Sequence, residues 1–333
     1  MTKESVLLVG SGGVGTMAAF ALEYSGKAAV TSVLRSDYAK VTDKGFTIDS
    51  CDYGHVEGFK TTHIVNSVEK AKQFGPFGYI VVTTKNIPDV TDITEVIAPV
   101  VTSDSTIVLI QNGIGIERML FKKFPKNIVL SGVSLIQSIN RNGYVEHTTQ
   151  DILKLGYFYN SALSKDLQES SCRKFIDLYS NEKVDCEYDE DVKFSRWRKL
   201  VYNACLNPIC ALTGVDVGRL ELFGGIDNII RASMREIIKI AKSDGVTLPE
   251  DVIEFMIRCD DPIYFKPSML VDVEKQNFME IEVICGNPLR IAKENGVEVP
   301  NLSLTYALLR VVQSKLKEEK GLITVPKERP APK

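Results

Sequence analysis

The chain has 333 residues, enough for two hydrophobic cores, since single cores tend to stop growing near ~250–300 residues. With 44% hydrophobic residues, 25% charged residues and a formal net charge of -3, it carries no acidic or basic excess that points to nucleic acid or an anionic membrane; the expected partner is a small molecule. The seven cysteines are scattered, with no CxxC pair or metal-ligand spacing, and read as buried free thiols of a reducing compartment. No metal centre is expected, no stretch approaches the ~18–20 apolar residues of a membrane span, and a cytoplasmic location follows.

Residues 5–9 form a short apolar run, followed by Gly10-Ser11-Gly12-Gly13-Val14-Gly15 and an Ala-rich helical segment. This is strand, glycine turn and helix in the order that a GxGxxG fingerprint requires. Gly10 permits the tight turn, Gly12 lets backbone approach a pyrophosphate at the helix N-terminus, and Gly15 lets helix pack closely on strand. The next strand, 28–34, ends where an NAD-binding site places an acidic residue, ~20 positions past the fingerprint. Here the residue is Arg35, which matches a 2′-phosphate that a carboxylate would repel, so NADPH/NADP+ is favoured over NADH. Asp37 reads as a helix cap.

Residues 45–67 alternate strand formers with Gly and Asp and suggest hairpin-like strands. Buried strands follow at 79–84, ending in Lys85, and at 105–110, ending in Gln111-Asn112-Gly113. Ligands of open α/β sheets sit beyond the carboxyl ends of the strands, which places Lys85 near a cofactor phosphate and Asn112 near the nicotinamide ribose or the substrate. Read blandly, these are a solvated lysine and an ordinary Asn-Gly turn. Strands at 127–137 and 152–158, a helix at 163–180 and a strand at 184–187 complete a Rossmann-type doubly wound sheet, the expected domain 1–190.

From residue 191 the period shifts from 2 to 3.6, and helices are suggested at about 191–213, 218–244, 249–258, 268–276, 280–295 and 300–319. The chain is thus expected to be α/β, with an all-helical C-terminal domain, 191–323, supplying the substrate site and a surface for a homodimer. The Pro- and Lys-rich tail, 324–333, reads as disordered. Within the first helix, Lys199, Asn203 and Asn207 recur every four residues among apolar neighbours, forming one slanting polar stripe that Pro208 bends or ends. Hydride transfer to a carbonyl needs a proton donor for the developing alkoxide. His55, His63 and His147 all lie in the first half with no obvious partner carboxylate, so Lys199, set in an apolar helix, is the candidate donor. Further on, Glu280 could be a first-turn carboxylate or a substrate ligand, and Ser268 could donate to a substrate carboxylate.

Taken together, the glycine turn with Arg35, Lys85, Gln111-Asn112-Gly113, Trp197-Arg198-Lys199-Leu200 with Asn203 and Asn207-Pro208, and Ser268-Met269 with Glu280 and Gly286 resemble the ketopantoate reductase family over nearly the whole chain. The resemblance implies reduction of 2-dehydropantoate to (R)-pantoate in pantothenate biosynthesis, with hydride from NADPH and the proton from Lys199. It implies that Glu280 binds the substrate hydroxyl, positions Lys199 and stands among the cofactor contacts. Asn203, Asn207 and Ser268 would hold the substrate, and Asn112 would bridge substrate and cofactor. One position departs from the pattern: a further substrate-contacting Asn is replaced by Val217. The alternatives are a reductase of another branched 2-oxo acid, such as 2-oxoisovalerate, and a non-catalytic NADP(H)-binding sensor.

Overall fold

The computed structural model describes residues 2–329, and the chain divides into two compact units. Unit 1 comprises Met1–Asn86, Thr91–Gln111 and Ile116–Val192; unit 2 comprises Ile87–Val90, Asn112–Gly115 and Lys193–Lys333. The division is therefore not a single cut near residue 190. Two short pieces of the first half, one containing Asn112, belong with the helices.

Unit 1 begins with β1 (Glu4–Val9), α1 (Gly13–Tyr24), β2 (Ala28–Val33), α2 (Tyr38–Lys44), β3 (Phe46–Ser50), β4 (Gly54–Phe59), β5 (His63–Val65), α3 (Val68–Ala71) and β6 (Tyr79–Val82). It continues through α4 (Ile93–Ile97), β7 (Thr106–Leu109), α5 (Arg118–Lys123), β8 (Val129–Ser134), β9 (Gln137–Arg141), β10 (Tyr144–Thr149), β11 (Ile152–Tyr157), α6 (Lys165–Tyr179) and β12 (Asp185–Tyr188). An eight-stranded sheet runs β12-β11-β8-β7-β6-β1-β2-β5, parallel except where β11 meets β8. Its central strands carry continuous apolar runs, as strands covered on both faces must; Val6, Leu7 and Leu8, and Ile80, Val81 and Val82, have no exposed surface.

The hairpin expected after residue 45 is β3–β4, whereas β5 leaves it to join the edge of the main sheet beside β2. A second sheet, β4-β3-β10-β9, was not expected. It forms because β10 returns to lie parallel to β3, with His147 opposite Ser50, a pairing that no local periodicity records. Its inner side packs Phe46, Ile48 and Val145 with Met17, Phe20, Leu34 and Val41. His55, expected to lack a partner carboxylate, meets Asp49 through the β3–β4 pairing and Glu57 two residues along its own strand, at the surface.

Unit 2 is helical: α7 (Val192–Asn203), α8 (Leu206–Thr213), α9 (Val217–Leu222), α10 (Arg231–Ser243), α11 (Val252–Arg258), α12 (Ser268–Glu274), α13 (Asn287–Glu294) and α14 (Pro300–Glu319), with π turns at Ile226–Ile230 and Glu282–Gly286. The single helix expected over 191–213 is two. Pro208 has no N–H for the Ala204 carbonyl and its ring crowds that carbonyl, so the chain breaks at residues 204–205, upstream of the proline. Pro208 then sits in the first turn of α8, where its missing N–H costs little. It starts a helix rather than ending one.

Glu236 on α10 carries much of this packing. Its buried carboxylate accepts Asn301 N at 3.0 Å, Asn301 Nδ2 at 2.8 Å and Leu302 N at 2.9 Å, so it caps the N-terminus of α14 with charge-assisted bonds. Glu236→Ala leaves the buried Leu302 N–H and the half-buried Asn301 donors without their acceptor and should cost about 2–3 kcal/mol in urea unfolding; a loss below about 1 kcal/mol would show the cap to be dispensable.

Of the seven cysteines, Cys51 and Cys259 are exposed, contrary to the uniform burial expected; each lies at an element end rather than in a packed face. The tail has no helix or strand from 324 to 329 and is exposed there; residues 330–333 lie outside the described residues. Among the described residues, no helix is long and apolar enough to cross a membrane.

Candidate active site

In unit 1 the glycine turn joins β1 to α1. Gly10 has φ +109°, and a Cβ there would stand 2.6 Å from Thr84 N; the Thr83 hydroxyl donates to the Gly10 carbonyl. Gly15 abuts the same carbonyl, so a side chain at either position would separate helix from strand. Gly12 instead faces open space, which leaves its backbone accessible to a ligand. Beside the turn, Ser11 Oγ and Ser138 Oγ are buried without a hydrogen-bond partner. Buried polar atoms are normally satisfied, so the pair fits a site waiting for acceptor-rich groups such as phosphate oxygens.

Arg35 lies just past the end of β2 and is exposed, with Leu34 buried behind it. Asp37 occupies the N-cap position of α2 but makes no cap bond. Its carboxylate accepts Asn140 Nδ2 at 2.8 Å and Ser36 Oγ at 2.9 Å. Asn140 also donates to the Ser11 carbonyl at 2.8 Å, so β9 braces the glycine turn, and Gly13 is required because the β9 backbone at Ser138 crowds it. Sequence reasoning missed Asn140 and Ser138, whose only local signal is a polar strand. Lys85 is exposed beyond β6.

In unit 2, Lys199 on α7 donates to Asn112 Oδ1 at 3.0 Å, and Asn112 Nδ2 donates to Glu280 Oε2 at 3.2 Å. One carboxamide thus links the ammonium and the carboxylate, with both ends of Asn112 committed. The segment bearing Asn112 is held from two sides: Arg196, buried one turn before Lys199, donates to the Gly113 carbonyl at 3.0 Å, and Asn287 Nδ2 donates to the Ile114 carbonyl at 2.5 Å. Gly113 has φ +96°, and a Cβ would lie 2.6 Å from Val283 Cβ, which accounts for glycine after Asn112. Burial pushes the Lys199 amine down to about 8, the Arg196 charge pushes the same way, and Glu280 opposes them. Arg196 escaped sequence reasoning, although two cations a helical turn apart are a legible repulsion.

Asn203 and Asn207 are both buried but sit on either side of the α7–α8 break, so the stripe is not one helical row. Asn207 Nδ2 points to Ser268 Oγ at 3.4 Å, the first residue of α12, which packs on α8. Asn207 Oδ1 is buried with no partner. Glu280 directly precedes the turn of helix that leads into the π segment, and its side chain is used by Asn112. Val217 is buried at the start of α9, its N–H bonded to the Phe265 carbonyl at 3.0 Å, and offers no side-chain amide. Chemically, unit 2 presents an ammonium of lowered proton affinity beside amides and a carboxylate, a set suited to stabilising and protonating an oxyanion.

Comparison with known proteins bears on the chain as a whole. Residues 6–160 match the model of the ketopantoate reductase PanE/ApbA family, and residues 191–313 match that of its C-terminal region. An uncharacterized protein of Saccharomyces cerevisiae is 41% identical, with 96% of each chain covered. The crystal structure of 2-dehydropantoate 2-reductase from Methylococcus capsulatus is 31% identical, covers 94% of this chain and 97% of its own, and superposes with a TM-score of 0.78. A ternary structure of D-mandelate dehydrogenase with NADH and anilino(oxo)acetate shares the fold, with a TM-score of 0.82 at 20% identity and 94% and 99% coverage. The α/β first unit, the helical second unit and these matches lead to one assignment: the chain belongs to the ketopantoate reductase family of oxidoreductases.

Proposed function

We propose that this chain is an NADPH-dependent reductase that converts 2-dehydropantoate to (R)-pantoate in pantothenate biosynthesis. The reading rests above all on the Lys199–Asn112–Glu280 chain, with distances of 3.0 and 3.2 Å and an amine lowered to about 8. When bound, the nicotinamide nucleotide supplies the hydride. The glycine turn, the Ser11 and Ser138 hydroxyls and Arg35 hold its phosphates, with Arg35 on the 2′-phosphate; Lys85 adds a second cation. Lys199 stabilises the developing alkoxide and delivers the proton from Nζ. Asn112 fixes where that ammonium points. Glu280 accepts the substrate hydroxyl, while Asn203, Asn207 and Ser268 hold the substrate, Asn207 Oδ1 being an acceptor still to be used.

A second reading, reduction of another branched 2-oxo acid such as 2-oxoisovalerate, is favoured by Val217, an apolar residue at the position where the family resemblance expects a further substrate-contacting Asn. Assay of ketopantoate, 2-oxoisovalerate and benzoylformate with NADPH and NADH separates the two. Ketopantoate with NADPH should give the highest kcat/KM. Faster turnover of either competitor transfers the assignment to that acid, and no turnover of any 2-oxo acid leaves a nucleotide-binding sensor.

A further inference from the structure

Away from these residues, unit 1 gathers three side chains of metal-ligand type that no part of the reductase chemistry uses. β3 ends at Ser50, and the turn into β4 carries Cys51 and Asp52; β10 runs parallel to β3 and brings His147 opposite Ser50. Cys51 Sγ lies 3.9 Å from His147 Nε2 and 3.7 Å from Asp52 Oδ1, and His147 Nε2 lies 3.8 Å from Asp52 Oδ2. For tetrahedral zinc with a thiolate, an imidazole and a carboxylate, ligand atoms sit about 3.3–3.6 Å apart; here one ligand atom from each residue lies within 4.8 Å of the others, so the three need only draw together around an ion.

A second observation is the imidazole itself. The His147 side chain is fully enclosed and that of Asp52 is 10% exposed, and Nε2 lies 3.9 Å from the sulfur and 3.8 Å from the carboxylate, both beyond an ordinary hydrogen bond to nitrogen. The outer bonds that ligands need are present. Ser50 Oγ lies 2.8 Å from His147 Nδ1, and Asp52 Oδ2 accepts the Asp151 N–H at 2.9 Å. Cys51 is exposed, so a fourth position would open to solvent.

We propose that Cys51, Asp52 and His147 form a site for a zinc-class divalent cation that staples the β3–β4 turn to β10. Thiolate with imidazole selects a borderline-soft ion over magnesium or calcium, and the two anionic ligands neutralise a dication. On binding, the Cys51 thiol proton is released to solvent. With the cation bound, the ring proton of His147 has to move to Nδ1, facing Ser50 Oγ, which frees Nε2 for the metal. Ser50 Oγ also receives the Asp52 and Tyr53 N–H groups at 3.1 and 3.0 Å, so without metal its hydroxyl proton points at Nδ1 and the ring proton sits on Nε2. Metal binding exchanges that tautomer.

The test uses the full chain, reduced, stripped with a chelator and titrated with Co2+. One equivalent should produce a thiolate-to-cobalt charge-transfer band that Zn2+ abolishes, and Zn2+ should raise the Tm. Both responses should vanish in C51S, whose exposed position leaves the fold intact, weaken in D52N, and persist in C259S, which removes the other exposed thiol. Circular dichroism melts confirm folding of each variant. Absence of the band from wild type, its survival in C51S, or its loss in C259S instead would overturn the proposal.

Discussion

Lys199→Ala should lower kcat/KM by about 10³-fold, mostly in kcat, because a positioned acid and oxyanion stabiliser each contribute roughly 10²–10⁴. NADPH binding should be retained, since the phosphate ligands proposed above, the glycine turn, Ser11, Ser138, Arg35 and Lys85, lie in unit 1. The variant should also be no less stable at neutral pH. The folded amine is pushed down to about 8, chiefly by burial, so the folded state disfavours the proton that the unfolded chain keeps. That cost is fully present below pH 8 and fades as pH rises toward the ordinary lysine range. The same shift sets the kinetics. Reduction needs the ammonium, so wild-type activity should be level below about pH 8 and fall roughly tenfold per pH unit above it. Oxidation of the hydroxy acid needs the neutral amine and should show the opposite limb. Lys199→Arg, if active at all, should lose the alkaline limb. Activity of the alanine variant within tenfold of wild type, with unchanged pH dependence, would remove Lys199 from the chemistry.

Arg35→Asp should reduce kcat/KM with NADPH about 10²-fold while leaving NADH turnover equal or improved. A charge-assisted bond to phosphate is worth about 1.5–3 kcal/mol, or roughly 10–100-fold, and the new carboxylate adds repulsion of the 2′-phosphate while accepting a ribose 2′-hydroxyl. The residue is exposed, so the fold should be untouched and the NADPH effect should shrink at high salt. Equal losses with both nucleotides would mean that Arg35 does not read the 2′-phosphate, and discrimination would then have to lie elsewhere around the glycine turn.

How much was legible in the sequence depended on the range of each interaction. The β1–turn–α1 unit was legible because strand run, glycine spacing and helix lie within one continuous stretch, and each constraint is local: a positive φ at Gly10 and close approach at Gly15. The helical character of the second half was legible from periodicity, and Lys199 stood out as a charge where apolar burial makes charge costly. Local pattern also misled. Spacing of four drew Lys199, Asn203 and Asn207 as one stripe, whereas the carbonyl left unserved by Pro208 splits the helix between the two amides. Asp37 looked like a cap because it precedes a helix, but Asn140, more than a hundred residues away, claims its carboxylate.

By itself, then, the sequence determined the α/β class and the nucleotide-type turn and singled out Lys199 as the candidate cation, because backbone sterics and hydrophobic periodicity act between near neighbours. Tertiary structure alone decided the rest: that Asn112 leaves the sheet unit to join Lys199 and Glu280, that Arg196 clamps Gly113, and that Cys51, Asp52 and His147 converge. These contacts join residues some 80 to 170 positions apart, as in the Arg196–Gly113, Lys199–Asn112, Cys51–His147 and Asn112–Glu280 pairs. They depend on burial of the apolar faces of sheet and helices, and that burial, not any local preference, places each polar group beside its partner.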